Sequence, residues 1–138
     1  MELREAIYEF FPMDGAPIYR LSNAIIDDDY GDISGAFEEN WVTWNQIENW
    51  QIAKSDVFFS FAPREAAAYL LPRFMIFTLD EIESKLDEYS GLAASDCATE
   101  YIKLLEKRKY DYKGINFNET QIKVLKQFLS YVQEKEGW

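Results

Sequence analysis

Nucleophilic and acid–base chemistry have little to draw on in this 138-residue sequence. It holds no histidine, which removes the commonest general base and the commonest metal ligand together. Its one thiol, Cys97, falls just inside a helix start opened by Ser95, where the helix dipole would favour a thiolate. Without a base beside it, the plainer expectation is a small apolar side chain packed in the core. A lone cysteine forms no intrachain disulfide, which suits a reducing compartment. Neither a GxGxxG turn nor a phosphate-cradling P-loop occurs. Among 25 aspartates and glutamates, nothing singles out a pair for glycosidic cleavage.

Hard cations are a more specific possibility. Asp27, Asp29 and Glu38 occupy positions 1, 3 and 12 of a calcium-loop register, with Asp28 and Asp32 beside them. That register puts Gly31 at the fifth position, where a ligand is needed. It puts Asp32 at the sixth, where glycine is needed for the turn. A solvated turn is therefore expected, and no metal or other cofactor. A nonstandard divalent-cation or small-ligand site built on the same carboxylates is the alternative.

Charge is distributed unevenly. The net charge is −11, and a chain so acidic is repelled by phosphate backbones and anionic bilayers, so neither nucleic acid nor membrane is an expected partner. Residues 1–60 carry 12 acids against three bases, whereas residues 61–138 carry 13 against 11. No basic residue lies between Arg20 and Lys54. Within that gap Asp27, Asp28, Asp29, Asp32, Glu38, Glu39 and Glu48 interleave with Tyr30, Phe37, Trp41, Trp44 and Trp50. Acids steer a basic protein and speed its encounter, while aromatic anchors supply a desolvated centre. Nine of them, all but Glu48, Phe37 and Trp50, are the candidate partner-binding surface. Taken one by one, Trp41 and Trp44 fit a core better than an interface, because large aromatics are mostly buried. Lys103, Lys107, Arg108, Lys109 and Lys113 gather at the end of a helix, where cations complement its dipole.

The elements that position these residues are mostly helical. Leu3 to Phe11 reads as a short amphipathic helix stopped by Pro12 and the Asp14–Gly15 turn. After Pro17, Ile18, Leu21 and Ile25 recur at helical spacing until the run Asp27–Gly31. A further short helix is expected over Ile33–Trp41, and the aromatic stretch Trp41–Trp50 suits one short β-hairpin. Pro63 and Glu65 mark a helix start. The helix continues through Ala66–Leu79, kinked at Pro72, as the central element of the core. Interrupted by Arg73, that apolar run falls short of the roughly 20 residues a membrane span needs. Ser95 opens a helix that turns Ala98, Tyr101, Ile102 and Leu105 inward, and Gly114 marks the break after it. Asn118 and Gln121 form a capping-box-like start to the last helix, whose stripe is Ile122, Leu125, Leu129 and Val132. With no linker or repeat, the expectation is a single mainly α domain over residues 1–138. The acidic N-terminus lacks the basic start of a signal peptide, so a cytoplasmic location is expected.

Several segments together resemble an uncharacterised family of small, mostly bacterial proteins. They are Trp44–Ile47, Phe58–Pro63, the run Tyr69-Leu70-Leu71-Pro72-Arg73-Phe74-Met75, and the ending Gln121–Leu129, with Asp29-Tyr30-Gly31 as an early turn. The resemblance implies a small α-rich bacterial protein and carries no activity. The leading functional expectation is thus a non-catalytic acidic binding protein, of the immunity or inhibitor kind, that occludes a basic toxin or enzyme. Behind it stand the carboxylate ligand site already named and a structural module that self-associates through an aromatic patch.

Overall fold

A computed structural model of the chain describes residues 1–83, 94–112 and 115–136. In order they form α1 (Leu3–Phe10), α2 (Leu21–Asp28), a 3-10 turn at Trp44–Gln46, α3 (Asn49–Ala53), α4 (Phe58–Phe61), α5 (Arg64–Ile82), α6 (Ala94–Lys107) and α7 (Glu119–Glu136). The chain is mainly helical. A two-residue antiparallel ladder joins β1 (Asp111–Tyr112) to β2 (Ile115–Asn116). Lys113 and the expected helix break at Gly114 lie outside the described residues.

The centre is α5. Every residue from Tyr69 to Leu79 is buried, as befits a helix that is apolar all round. The helix runs on through Pro72, whose missing N–H leaves the Ala68 carbonyl without its helical donor. Around α5 pack α1, α6 and the 3-10 turn, and one apolar cluster draws buried side chains from every helix, α4 contributing its one buried residue, Phe58. The start of α7 is fixed as expected: the Gln121 amide N–H donates to Asn118 Oδ1 at 2.8 Å, and Gln121 Oε1 accepts from Asn118 N at 3.0 Å. Its buried stripe is Val124, Leu125, Phe128 and Val132. Ile122 and Leu129 are half-buried at its margin.

Two local expectations are corrected. Ile33–Trp41 forms no helix; after a turn at Ile33–Ala36 the backbone runs irregularly to Trp41. Trp41–Trp50 is not a hairpin, because side-chain amides take the backbone donors a strand partner would have used. Gln46 Oε1 accepts from Val42 N at 2.7 Å and Thr43 N at 3.3 Å, and Gln51 Oε1 accepts from Glu48 N at 2.9 Å. The buried Arg73 then locks this segment to α5, donating from Nε to the Ile47 carbonyl at 2.9 Å and from Nη2 to Asn49 Oδ1 at 2.6 Å. Burial pulls its guanidinium below the usual arginine range. Among the described residues, no helix is long and apolar enough to cross a membrane.

Candidate functional site

The acidic turn is held by the C-terminus of α2. Tyr30 adopts a left-handed φ of 55° and Gly31 a φ of 94°. The Tyr30 N–H meets the Asp27 carbonyl at 3.3 Å and the Gly31 N–H meets the Ile26 carbonyl at 2.8 Å. This pairing closes the helix and turns the chain outward. Glycine suits such a φ and tyrosine does not, so Tyr30 is strained there while its ring stands fully exposed. Asp28 and Asp29 are exposed at the same end. Asp27 accepts the Tyr19 hydroxyl at 2.6 Å. Burial and this carboxylate together push the Tyr19 phenol well above its usual value. Asp32 Oδ1 accepts the Ser34 N–H at 2.9 Å, which holds its carboxyl below the usual aspartate range. Ile33 beside it is 71% exposed, so an apolar side chain joins Tyr30 on the acidic turn.

The other three candidates face inward. Glu39 caps α2 from a distance: Oε1 accepts Leu21 N at 3.1 Å, and Oε2 accepts Ser22 N at 2.9 Å. Arg20, at the N-cap position, offers no capping side chain of its own, so a carboxylate borrowed from another segment satisfies the orphan donors and the dipole. The same carboxylate accepts Trp41 Nε1 at 3.0 Å. Trp41 is buried, with the Arg20 guanidinium 3.9 Å from its ring centroid and Tyr69 stacked on it at 6.2 Å. Trp44 is fully buried, donates from Nε1 to the Pro12 carbonyl at 3.0 Å, and stacks on Tyr8 at 5.3 Å. Glu39, Trp41 and Trp44 therefore build the scaffold, and of the three Trp41 also lines a cavity. The exposed set is Asp27, Asp28, Asp29, Tyr30, Asp32 and Glu38.

Glu48 and Trp50, part of the acid-aromatic run but outside the candidate surface, line a groove next to that set that sequence reasoning did not foresee. A cavity of about 460 Å³ lies beside the half-buried Trp50, lined also by Glu38, Asn40, Trp41, Gln46, Glu48 and Gln51. Its organiser is the buried Gln51, whose Nε2 donates to the Glu38 carbonyl at 3.4 Å while Oε1 holds the Glu48 N–H. Trp50 Nε1 donates to Glu48 Oε2 at 2.6 Å. The Glu48-x-x-Gln51 spacing was the available signal, since it places an amide where it can cap α3.

Cys97 takes the plainer of its two expected roles. It is buried, its Sγ donates to the Asp56 carbonyl at 3.3 Å, and burial aided by Asp56, Glu100 and Asp96 pushes the thiol up to about 12. Desolvation and acids outweigh the helix dipole there. Among the described residues no three His, Cys, Asp or Glu side chains are grouped to hold a metal ion. Asp27, Asp29 and Glu38 thus form no such cluster.

The sequence profile of the family of unknown function DUF6714 matches residues 2–137. The chain belongs to that family. No curated protein and no solved structure matches it. Membership in DUF6714 agrees with the expected resemblance to an uncharacterised family and brings no activity with it.

Proposed function

We propose that this DUF6714 protein is a non-catalytic acidic binding protein, of the immunity or inhibitor kind, whose acidic turn occludes a basic protein partner such as a nuclease-like toxin. The observation that carries the reading is an uncompensated charge. All three bases of residues 1–60 are engaged elsewhere: Arg4 with Asp80 at 2.8 Å and Glu83 at 3.0 Å, Arg20 on Trp41, and Lys54 at 5.6 Å from the Trp50 ring centroid. None neutralises Asp27, Asp28, Asp29 or Asp32. Three of these acids crowd the C-terminus of α2, which has no base in its last turn. Negative charge at that end opposes the helix dipole and costs roughly 0.3–1 kcal/mol per group. A protein that retains such a cost at an exposed turn, together with a strained tyrosine, fits a surface kept for binding.

The test is capture from the native cells by the tagged full-length protein at low salt, with identification of what is retained. A basic protein should be retained, released by a high-salt wash, and lost with the variant Asp28→Lys/Asp29→Lys/Asp32→Lys. Retention unchanged by charge reversal would overturn the reading.

A further inference from the structure

The groove beside Trp50 has a chemistry of its own. Two carboxylates, those of Glu38 and Glu48, line it with three side-chain amides and the indoles of Trp41 and Trp50, and no lysine or arginine does. Glu38 is exposed, and its carboxylate has no hydrogen bond or ion pair among the described residues. The backbone on either side is fixed, because the single buried amide of Gln51 holds both Glu38 and Glu48. Arg73 in turn holds Asn49 and so the start of α3. The Glu48 carboxylate and the Trp50 ring, which bond each other, are therefore set in place before anything enters, while the Glu38 carboxylate, fixed only through its backbone, is free to turn onto a donor.

The same fold displays how a cation is taken up by such a ring. Arg20 lies over Trp41 at 3.9 Å from the centroid and donates from Nη1 to the Trp41 carbonyl at 2.6 Å. Trp50 itself is braced by Phe37 at 5.1 Å in an edge contact and has Lys54 over its ring at 5.6 Å, a long-range cation that an entering one would have to displace. A guanidinium is planar, stacks on indole, and carries five donors in a fork that matches carboxylate and amide oxygens; an ammonium is a compact, strongly hydrated charge. We infer that the Trp50 groove receives an arginine side chain presented by the basic partner, with Glu38 and Glu48 as its carboxylate acceptors and the Trp50 ring as its stacking face. This rests on the reading of the chain as a binder of a basic protein, and it names what that partner must insert.

The experiment titrates the intact protein with the blocked tripeptide Gly-Arg-Gly, following the side-chain N–H signals by 1H–15N NMR, the Trp50 indole being assigned with Trp50→Phe. Gly-Lys-Gly and Gly-citrulline-Gly, the latter a neutral isostere of arginine, serve as comparators at matched ionic strength. The Trp50 indole signal should shift saturably with the arginine peptide, several-fold more weakly with lysine, and not with citrulline. Glu38→Gln, at an exposed side chain that supports nothing else, should weaken the arginine response several-fold while the rest of the spectrum stays native. No saturable shift, an equal shift with citrulline, or a response indifferent to Glu38→Gln would overturn the inference. The titration needs no partner protein. If the groove ignores arginine while charge reversal at Asp28, Asp29 and Asp32 still releases the captured partner, this inference fails and the proposed function stands.

Discussion

Two helix ends in this molecule carry opposite charge, and only one is at ease with it. At the C-terminus of α6, Lys107 lies in the last turn and Arg108 and Lys109 follow, where cations meet the negative end of the dipole. At the C-terminus of α2 stand Asp27, Asp28 and Asp29 with no base in the helix's last turn and no ion pair among the described residues. Electrostatics explains the first arrangement as stability alone. The second works against its own helix, so stability does not explain it. A similar split runs through the acid-aromatic segment itself. Glu39, Trp41 and Trp44 are consumed by internal hydrogen bonds and stacking, whereas Asp28, Asp29 and Tyr30 are turned to solvent.

The division can be broken most forcefully from its inner side. Trp44→Ala removes a fully buried indole, its bond to Pro12 and its stack on Tyr8; it should cost about 3–5 kcal/mol in urea unfolding, and a loss under 1 kcal/mol would place Trp44 outside the core. Glu39→Ala leaves Leu21 N, Ser22 N and Trp41 Nε1 without their acceptor and should cost about 1–3 kcal/mol in the same assay. The outer side should respond with the opposite sign. Asp28→Asn/Asp29→Asn should raise stability by about 0.3–1 kcal/mol per charge removed, while weakening capture of the basic partner.

A smaller effect sharpens the contrast between Cys97 and a reactive thiol. Its folded-state pKa is raised from 9.0 to about 12, so the folded state holds its proton where the unfolded state releases it. Its stabilising contribution is complete below about pH 9 and is lost progressively as pH rises from there towards about 12. Tyr19, Tyr69 and Tyr110 are also raised from 10.0 and add losses of the same sign above about pH 10. Unfolding midpoints should therefore begin to fall near pH 9 in the wild type and later in Cys97→Ala. Coincident onsets would remove Cys97 as the cause.

What the sequence made legible was local. Asn118 and Gln121 cap α7 across three residues, and the apolar run Ala66–Leu79 could only be a buried helix, so both were readable. Glu39 was misread because its partners, Leu21 and Ser22, are 18 and 17 residues away, beyond any periodic signal. Trp41–Trp50 has a composition that tolerates strands, and the amides of Gln46 and Gln51 decide against them through bonds that propensity does not weigh. Of the candidate surface, the exposure of the four aspartates and Glu38 was legible because charge and exposure go together, and that of Tyr30 because it sits in the Asp29-Tyr30-Gly31 turn. Trp41 and Trp44 carried two readings, since each alone fits a core better than an interface while their place among the acids put them on the candidate surface.

The most direct measurement is the association rate of the captured basic partner with the wild type and with Asp28→Lys/Asp29→Lys/Asp32→Lys, followed across ionic strength. The account predicts a wild-type rate that falls steeply with added salt. In the variant the rate should be lower at low salt and nearly independent of it. Equal rates and equal salt slopes for the two proteins would contradict the claim that this turn is the binding surface.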